Sequence, residues 1–182
     1  MEFFKKALLI LPVLTACFTH AQDIRVIDNK GTLNTIAKIK HAEFIPTEFL
    51  LVNDDTNYGV RNFFGTEIMN EGAVTKTSDS RITIDEQGYY QISFSSFLVS
   101  TVGSRGNPEV RLFINGIEGR VGALSAYIRR SSGHDESSWN FTFMGKLNQG
   151  DMVELQTRRL AGVASVFVSP TRTSFTITKL GM

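Results

Sequence analysis

From Ala42 to the C-terminus the chain is a succession of short runs in which apolar and polar residues alternate, separated by clusters of turn-forming residues. Alternation with period two is the pattern of a strand with one buried face, and it leaves little room for any other fold class. The runs cover 48–52, 81–85, 89–100, 109–118, 137–147, 151–159, 165–169 and 174–180, and "NDDTNYG", "EQG", "GSRGNP", "SSGHDESS", "NQGD" and "SPTR" stand between them. Gly, Pro, Asn, Asp and Ser in such clusters turn the chain. No window sustains a helical period apart from a weak one between Gly122 and Ile128, so the chain is expected to be all-β.

The alternation also assigns faces. Tyr90, Ile92, Phe94 and Leu98 fall on one parity, as do Val110, Leu112 and Ile114; Trp139, Phe141 and Phe143; Val153 and Leu155; and Phe175 and Ile177. About eight strands with one buried face each require two sheets packed together. Fourteen Phe among 182 residues point to an aromatic core. On the outward parity, Tyr89, Phe97, Val99, Phe113 and Met144 are apolar. Such residues are either scattered exposed hydrophobes or one patch for self-association.

The N-terminus, "MEFFKKALLILPVLTACFTHAQ", places Lys5 and Lys6 before an apolar run and ends on small residues at 19 and 21. This predicts a signal peptide over 1–21, with cleavage after Ala21 and a protein that is secreted or held at the cell surface. Leu14-Thr15-Ala16-Cys17 also reads as a lipobox, with Cys17 lipidated and the chain anchored as the alternative. The apolar run is too short to span a bilayer, which needs about 20 residues. Cys17 is the only cysteine, so a chain cut after Ala21 has no disulfide, thiolate nucleophile or Cys-bound metal. Cleavage would also remove Lys5, Lys6 and Glu2 from totals of 19 basic and 18 acidic residues, leaving 17 of each. That balance argues against nucleic acid, whose recognition needs a concentrated basic surface. Arg129-Arg130 and Arg158-Arg159 are read as solvated strand-end charges rather than an anion site. Residues 22–43 are read as one strand (Ile24, Val26) with a turn at "DNKG" and a linker, ahead of a domain over 44–182.

Four motifs occur in a telling order: Gly88-Tyr89-Tyr90 at a strand start, Asn115-Gly116 at a strand end, Leu147 with Gly150, Asp151 and Val153 across a hairpin, and Phe175 in the last strand. In this the chain resembles the C1q/tumour necrosis factor superfamily, in particular the bacterial secreted C1q-like branch, over about residues 43–181. The resemblance implies a two-sheet antiparallel jelly roll of about ten strands, assembled as a homotrimer. Tyr89, Phe97 and Phe113 are the residues expected at the threefold contact. No collagen-like repeat precedes the domain, so the head itself, with residues 22–43, would hold a trimer.

Catalytic patterns are scarce. His41 and His134 lack zinc spacing, and no glycine-rich phosphate loop is present. The turn at 53–57 offers Asn53, Asp54, Asp55 and Asn57, and "GHDESS" offers Asp135, as oxygen donors of the kind calcium takes, although both are read as polar loops ahead of cation sites. No cofactor is therefore expected, with calcium the one exception left open. Gly150-Asp151 is read as a structural corner. The sequence predicts a non-catalytic recognition or adhesion module that presents loops 53–65, 103–108 and 129–137 to a protein or glycan. The alternatives are a structural cap on a surface or fibre assembly attached through 22–43 and, third, a carbohydrate-active enzyme with two facing carboxylates.

Overall fold

The structure is a computed structural model that describes residues 24–27, 30–31, 33–36, 39–101, 105–118, 123–129 and 134–181. The expected signal peptide with Cys17 lies outside them. Two compact units divide the chain, Met1–Lys38 and Ile39–Met182.

Within the first unit β1 (Ile24–Ile27) pairs antiparallel with β2 (Leu33–Ile36), Ile24 opposite Ile36 and Ile27 opposite Leu33. The expected strand is present, but the stretch read as a linker supplies its partner. "LNTI" is too short and too polar for its alternation to register, and what fixes it is backbone pairing across a turn in which Gly31 takes φ +78°.

The second unit begins with β3 (Lys40–Ile45), β4 (Leu50–Leu51), β5 (Gly59–Val60), β6 (Thr66–Asn70), β7 (Val74–Ser78) and β8 (Arg81–Ile84). It continues with β9 (Gly88–Ser100), β10 (Gly106–Ile114), β11 (Ile117–Glu118), β12 (Leu124–Ser125), β13 (Glu136–Leu147), β14 (Met152–Gly162) and β15 (Val166–Gly181). One sheet runs β13-β9-β15-β3-β6 with β4 beside β15; the other runs β11-β10-β14-β8-β7 with β12 beside β10 and β5 beside β14. Each has a five-stranded main path, β4, β5 and β12 being the short additions, and every pairing is antiparallel. This is an antiparallel two-sheet jelly roll, and Lys40 to Glu43 of β3 belong to it rather than to a linker.

Several strands were not legible. β6 carries Ile68 and Met69 exposed, and β7 is almost wholly polar, so neither shows the alternation that marks a buried face. The runs 165–169 and 174–180 prove to be one strand, β15, whose register against β9 slips between Val168 and Thr173. The "SPTR" taken for a turn is that bulge. Conversely the run 109–118 is two strands, because Asn115 (φ 54°) and Gly116 (φ 72°) make a tight hairpin between β10 and β11. The weak helical period before Ile128 is occupied by β12 and an isolated bridge from Ile128 to Gly106.

Inward parity builds the core as expected. Tyr90, Ile92, Phe94, Leu98, Trp139, Phe175 and Ile177 from one sheet meet Ile82, Ile84, Val110, Leu112, Val153 and Leu155 from the other, each at most 2% exposed. Phe64 stacks edge-on against both Phe44 (5.7 Å) and Phe175 (4.8 Å), and Phe63 against Phe94 (5.2 Å). Phe63 and Phe64 lie in the connection before β6, so aromatic burial outside the strands closes one part of the sandwich.

The motifs behind the resemblance find each other in space. Gly150 has φ +85°, and Asp151 accepts the Asn148 amide at 2.8 Å through Oδ2. Through Oδ1 Asp151 accepts from Asn115 Nδ2 at 2.8 Å, while Asn115 Oδ1 takes the Met152 amide at 2.8 Å. The Asn-Gly and Gly-Asp turns are one cross-linked corner. Gly88 has no room for a side chain: a Cβ there would stand 2.5 Å from the Gly181 carbonyl oxygen.

Beside that strand start, Glu86 is clamped by Lys179 at 2.8 Å and by Lys40. Hydrogen bonds from Lys179 and then Lys40 hold its carboxyl down from an ordinary 4.5 to about 2. A lowered folded value means stability that is present above the unfolded value and lost as pH falls. We expect a modest loss of Tm between pH 4.5 and 2 that is shallower in Glu86→Gln, the two melting curves converging near pH 2; parallel curves would show that the clamp contributes nothing.

Candidate assembly and binding surfaces

Three surfaces of the sandwich carry features beyond packing. The first is the outer face of β13-β9-β15-β3. Strand register places Asn140, Ser95 and Ser174 in one row and Thr142, Ser93 and Thr176 in the next. These short side chains line a shallow depression of about 530 Å³. Apolar residues flank the depression along the same face: Tyr89 (53% exposed) and Met144 (65%) toward one end, and half-buried Phe97 toward the other, with the Arg172 guanidinium 4.5 Å above its ring. A flat floor of small residues with an aromatic rim suits close packing against another protein surface, since no long charged side chain must be desolvated at its centre.

Phe113 is not part of this face. It stands on the outward parity, as expected, but of β10, which belongs to the other sheet, and the outer faces of two stacked sheets point in opposite directions. Tyr58 covers it edge-on at 5.5 Å, leaving it 8% exposed. Parity along the sequence distinguishes in from out and says nothing of which sheet a strand joins. Tyr89, Phe97, Val99 and Met144 do share one sheet.

The second surface is a charged lattice on the outer face of β10 and β14. Glu109, 6% exposed, accepts from the Tyr58 hydroxyl and from Arg158 Nε at 2.8 Å, with Arg111 Nε 3.5 Å away. The guanidinium groups of Arg158 (4.5 Å) and Arg111 (5.1 Å) both lie over the Tyr58 ring, and Arg111 reaches on to Glu118. Burial, then the Glu109 hydrogen bond, pushes the Tyr58 phenol up to about 12, so it stays a donor at neutral pH. Glu154, 4% exposed, is held in the same way by Arg81 and by Gln156 Nε2 at 2.9 Å. Register puts Glu154 opposite Phe113 and Glu109 opposite Arg158, so the two carboxylates are four residues, about 13 Å, apart along the strands. Glycoside hydrolysis needs about 5–10 Å between its carboxylates, and here each acid is neutralised by arginine. The lattice instead holds the 53–60 loop against the sheet.

The third surface is the end of the sandwich where the 53–57 turn, the start of β10, the 123–129 segment and the β14-β15 connection meet. Asn53 is fully buried: its Oδ1 accepts the amides of Ser165 (3.0 Å) and Val166 (2.8 Å), and its Nδ2 donates to the Val163 carbonyl (2.7 Å). It is a staple between loops, with its side-chain oxygen and nitrogen both engaged by backbone groups. Asp54 is engaged by Arg61. Asp55 accepts the Asn57 amide at 2.8 Å, which lowers its pKa, and its carbonyl takes the Arg159 amide at 2.6 Å. The Asp135 carbonyl accepts the Ser100 amide at 2.8 Å. Among the described residues no three His, Cys, Asp or Glu side chains come together as a metal site. On the same end, Arg105 lies 5.7 Å over the ring of Tyr127, both exposed, with Arg129 beside them. The sequence offered only the adjacent Arg129-Arg130 pair as a signal, because residues 105 and 129 meet through a β-bridge.

No protein-family model matches the sequence, and neither does any curated protein. Solved structures do. The chain is similar to murine APRIL at pH 8.5, with TM-score 0.55 and 14% identity over 79% of this chain and 100% of that one. It is also similar to the Eiger TNF from S. frugiperda, with TM-score 0.51 and 17% identity over 79% of this chain and 92% of that one. At such identities the likeness shows the jelly-roll fold alone.

Proposed function

We propose that this chain is an exported, non-catalytic recognition module that works as a homotrimer and presents the loops at one end of its sandwich to an extracellular protein or glycan. One observation carries the reading: the small-residue floor on the outer face of β13-β9-β15, with Tyr89, Met144 and Phe97 around it, is shaped for a protein contact. The C1q/TNF-like fold supports a threefold arrangement about that face. Trimeric assembly would leave the end formed by 53–57, 105–108, 123–129 and 162–165 free to meet a ligand, and loops on a rigid scaffold are where binding sites concentrate.

The test is the mass of the full chain by light scattering after size exclusion, with and without a calcium chelator. The expected mass is three times that of the chain and indifferent to chelation. A monomer would overturn the assembly.

A structural cap attached through the N-terminal segment is the second reading, and the β1-β2 hairpin favours it, because that segment contains ordered pairing rather than linker alone. Deleting residues 22–38, short of β3, separates the two: loss of localisation with ligand binding intact supports the cap.

A further inference from the structure

We infer that the end of the sandwich at Arg105, Asn107, Tyr127 and Arg129 binds an anionic polysaccharide, one whose sugars carry sulfate or carboxylate groups. This rests on the recognition-module reading and names its ligand class. Gly106 and Ile128 exchange two backbone hydrogen bonds, of 3.0 and 2.9 Å. In an antiparallel pair the next residues out, Arg105 and Arg129, then fall opposite each other, with Cβ atoms about 5 Å apart. Ile128 and Gly106 are buried, so the neighbouring parity points outward. Two arginines are thereby fixed side by side on the surface by backbone pairing alone.

Two guanidinium groups carried at that Cβ spacing concentrate like charge on one small patch, where the Arg105 guanidinium has the Tyr127 ring as its contact. Among the described residues neither Arg105 nor Arg129 has a carboxylate partner. The nearest acid along β10, Glu109, is already held by Tyr58 and Arg158. An incoming anion bridging the two guanidinium groups would offset that charge and gain charge-assisted hydrogen bonds.

The company these cations keep selects a sugar over a bare anion. Tyr127, half exposed, stands one step along from Arg129 on the same face, with Arg105 over one side of its ring. The open side offers the flat apolar platform on which a pyranose ring stacks. Asn107 belongs to the next row, facing Ala161, and its Oδ1 is buried without a donor. Val163 and Leu160, about 40% exposed, continue the apolar margin. An acidic peptide would satisfy the arginines but supply no stacking face, whereas an acidic sugar supplies both.

The experiment is calorimetric titration of the full chain with a heparin-derived hexasaccharide, its desulfated counterpart, maltohexaose and polyglutamate of matched charge. Binding to the first is expected to weaken steeply with salt. Arg105→Gln and Arg129→Gln should each weaken it about tenfold, the loss of one charge-assisted contact. Tyr127→Ala should weaken it severalfold while Tyr127→Phe retains it, and Lys40→Gln, the same charge change elsewhere, should leave it unaltered. Equal affinity for polyglutamate, or indifference to Tyr127→Ala, would overturn the assignment in favour of an acidic protein partner. A chain that forms the trimer yet ignores every sulfated or carboxylated probe would overturn it too, and would leave the module reading standing.

Discussion

Replacing Asn53 by leucine is expected to destabilise the fold by about 3–5 kcal/mol, because it strands two amides and a carbonyl at once. The amides of Ser165 and Val166 have Asn53 Oδ1 as acceptor, and the Val163 carbonyl takes Asn53 Nδ2. Ser165 and Val166 are themselves buried, so water cannot replace the lost partner without opening the loop. Leucine has the same branched set of heavy atoms and is the bulkier residue, so it leaves no cavity behind. For a domain of this size the change corresponds to a fall in Tm of about 10 °C or more. Asn57 in the same turn donates only to Asp55 and is exposed, and Asn57→Ala should cost under about 0.5 kcal/mol. Chemical denaturation of both variants decides the matter. An Asn53→Leu protein within about 1 kcal/mol of the parent would mean that the loops hold together without the staple.

Ser95→Arg is expected to convert the proposed trimer to a monomer while leaving the protomer folded. Ser95 lies between Asn140 and Ser174 on the floor of the depression, exposed, so an arginine there meets open space in the isolated chain. In a ring built on that face the same residue enters three times, and three desolvated like charges cannot be accommodated. Phe113→Ala makes the contrast. It should leave the mass unchanged and lower stability, since Phe113 is buried under Tyr58 on the opposite sheet. Light scattering reads both. A trimer that tolerates Ser95→Arg would show that another surface makes the contact.

What could be read from the residues follows the period of the side chains. Long runs with one wet and one dry face, such as β9 and β13, announced themselves through alternation. Strands without that contrast did not, since β6 exposes its hydrophobes and β7 has almost none. Their pairing is a backbone matter, and the hydrogen bonds that hold a ladder together leave no mark on composition. The loop residues make the same point more sharply. Asn53 and Asn57 look alike in "NDDTN", yet one is a buried staple and the other a surface turn residue.

Fold class, most of the core residues and the Gly-Asp corner are legible in the residues alone, because each depends on local periodicity or on backbone angles that one residue type permits. Which residues share a surface depends instead on strand pairing. It separated Phe113 from Tyr89 and Phe97 by assigning β9 and β10 to different sheets, and it brought Arg105 to Arg129 across a bridge. Both outcomes depend on which strand pairs with which, a choice settled by the packing of the whole sandwich that no single run of residues encodes.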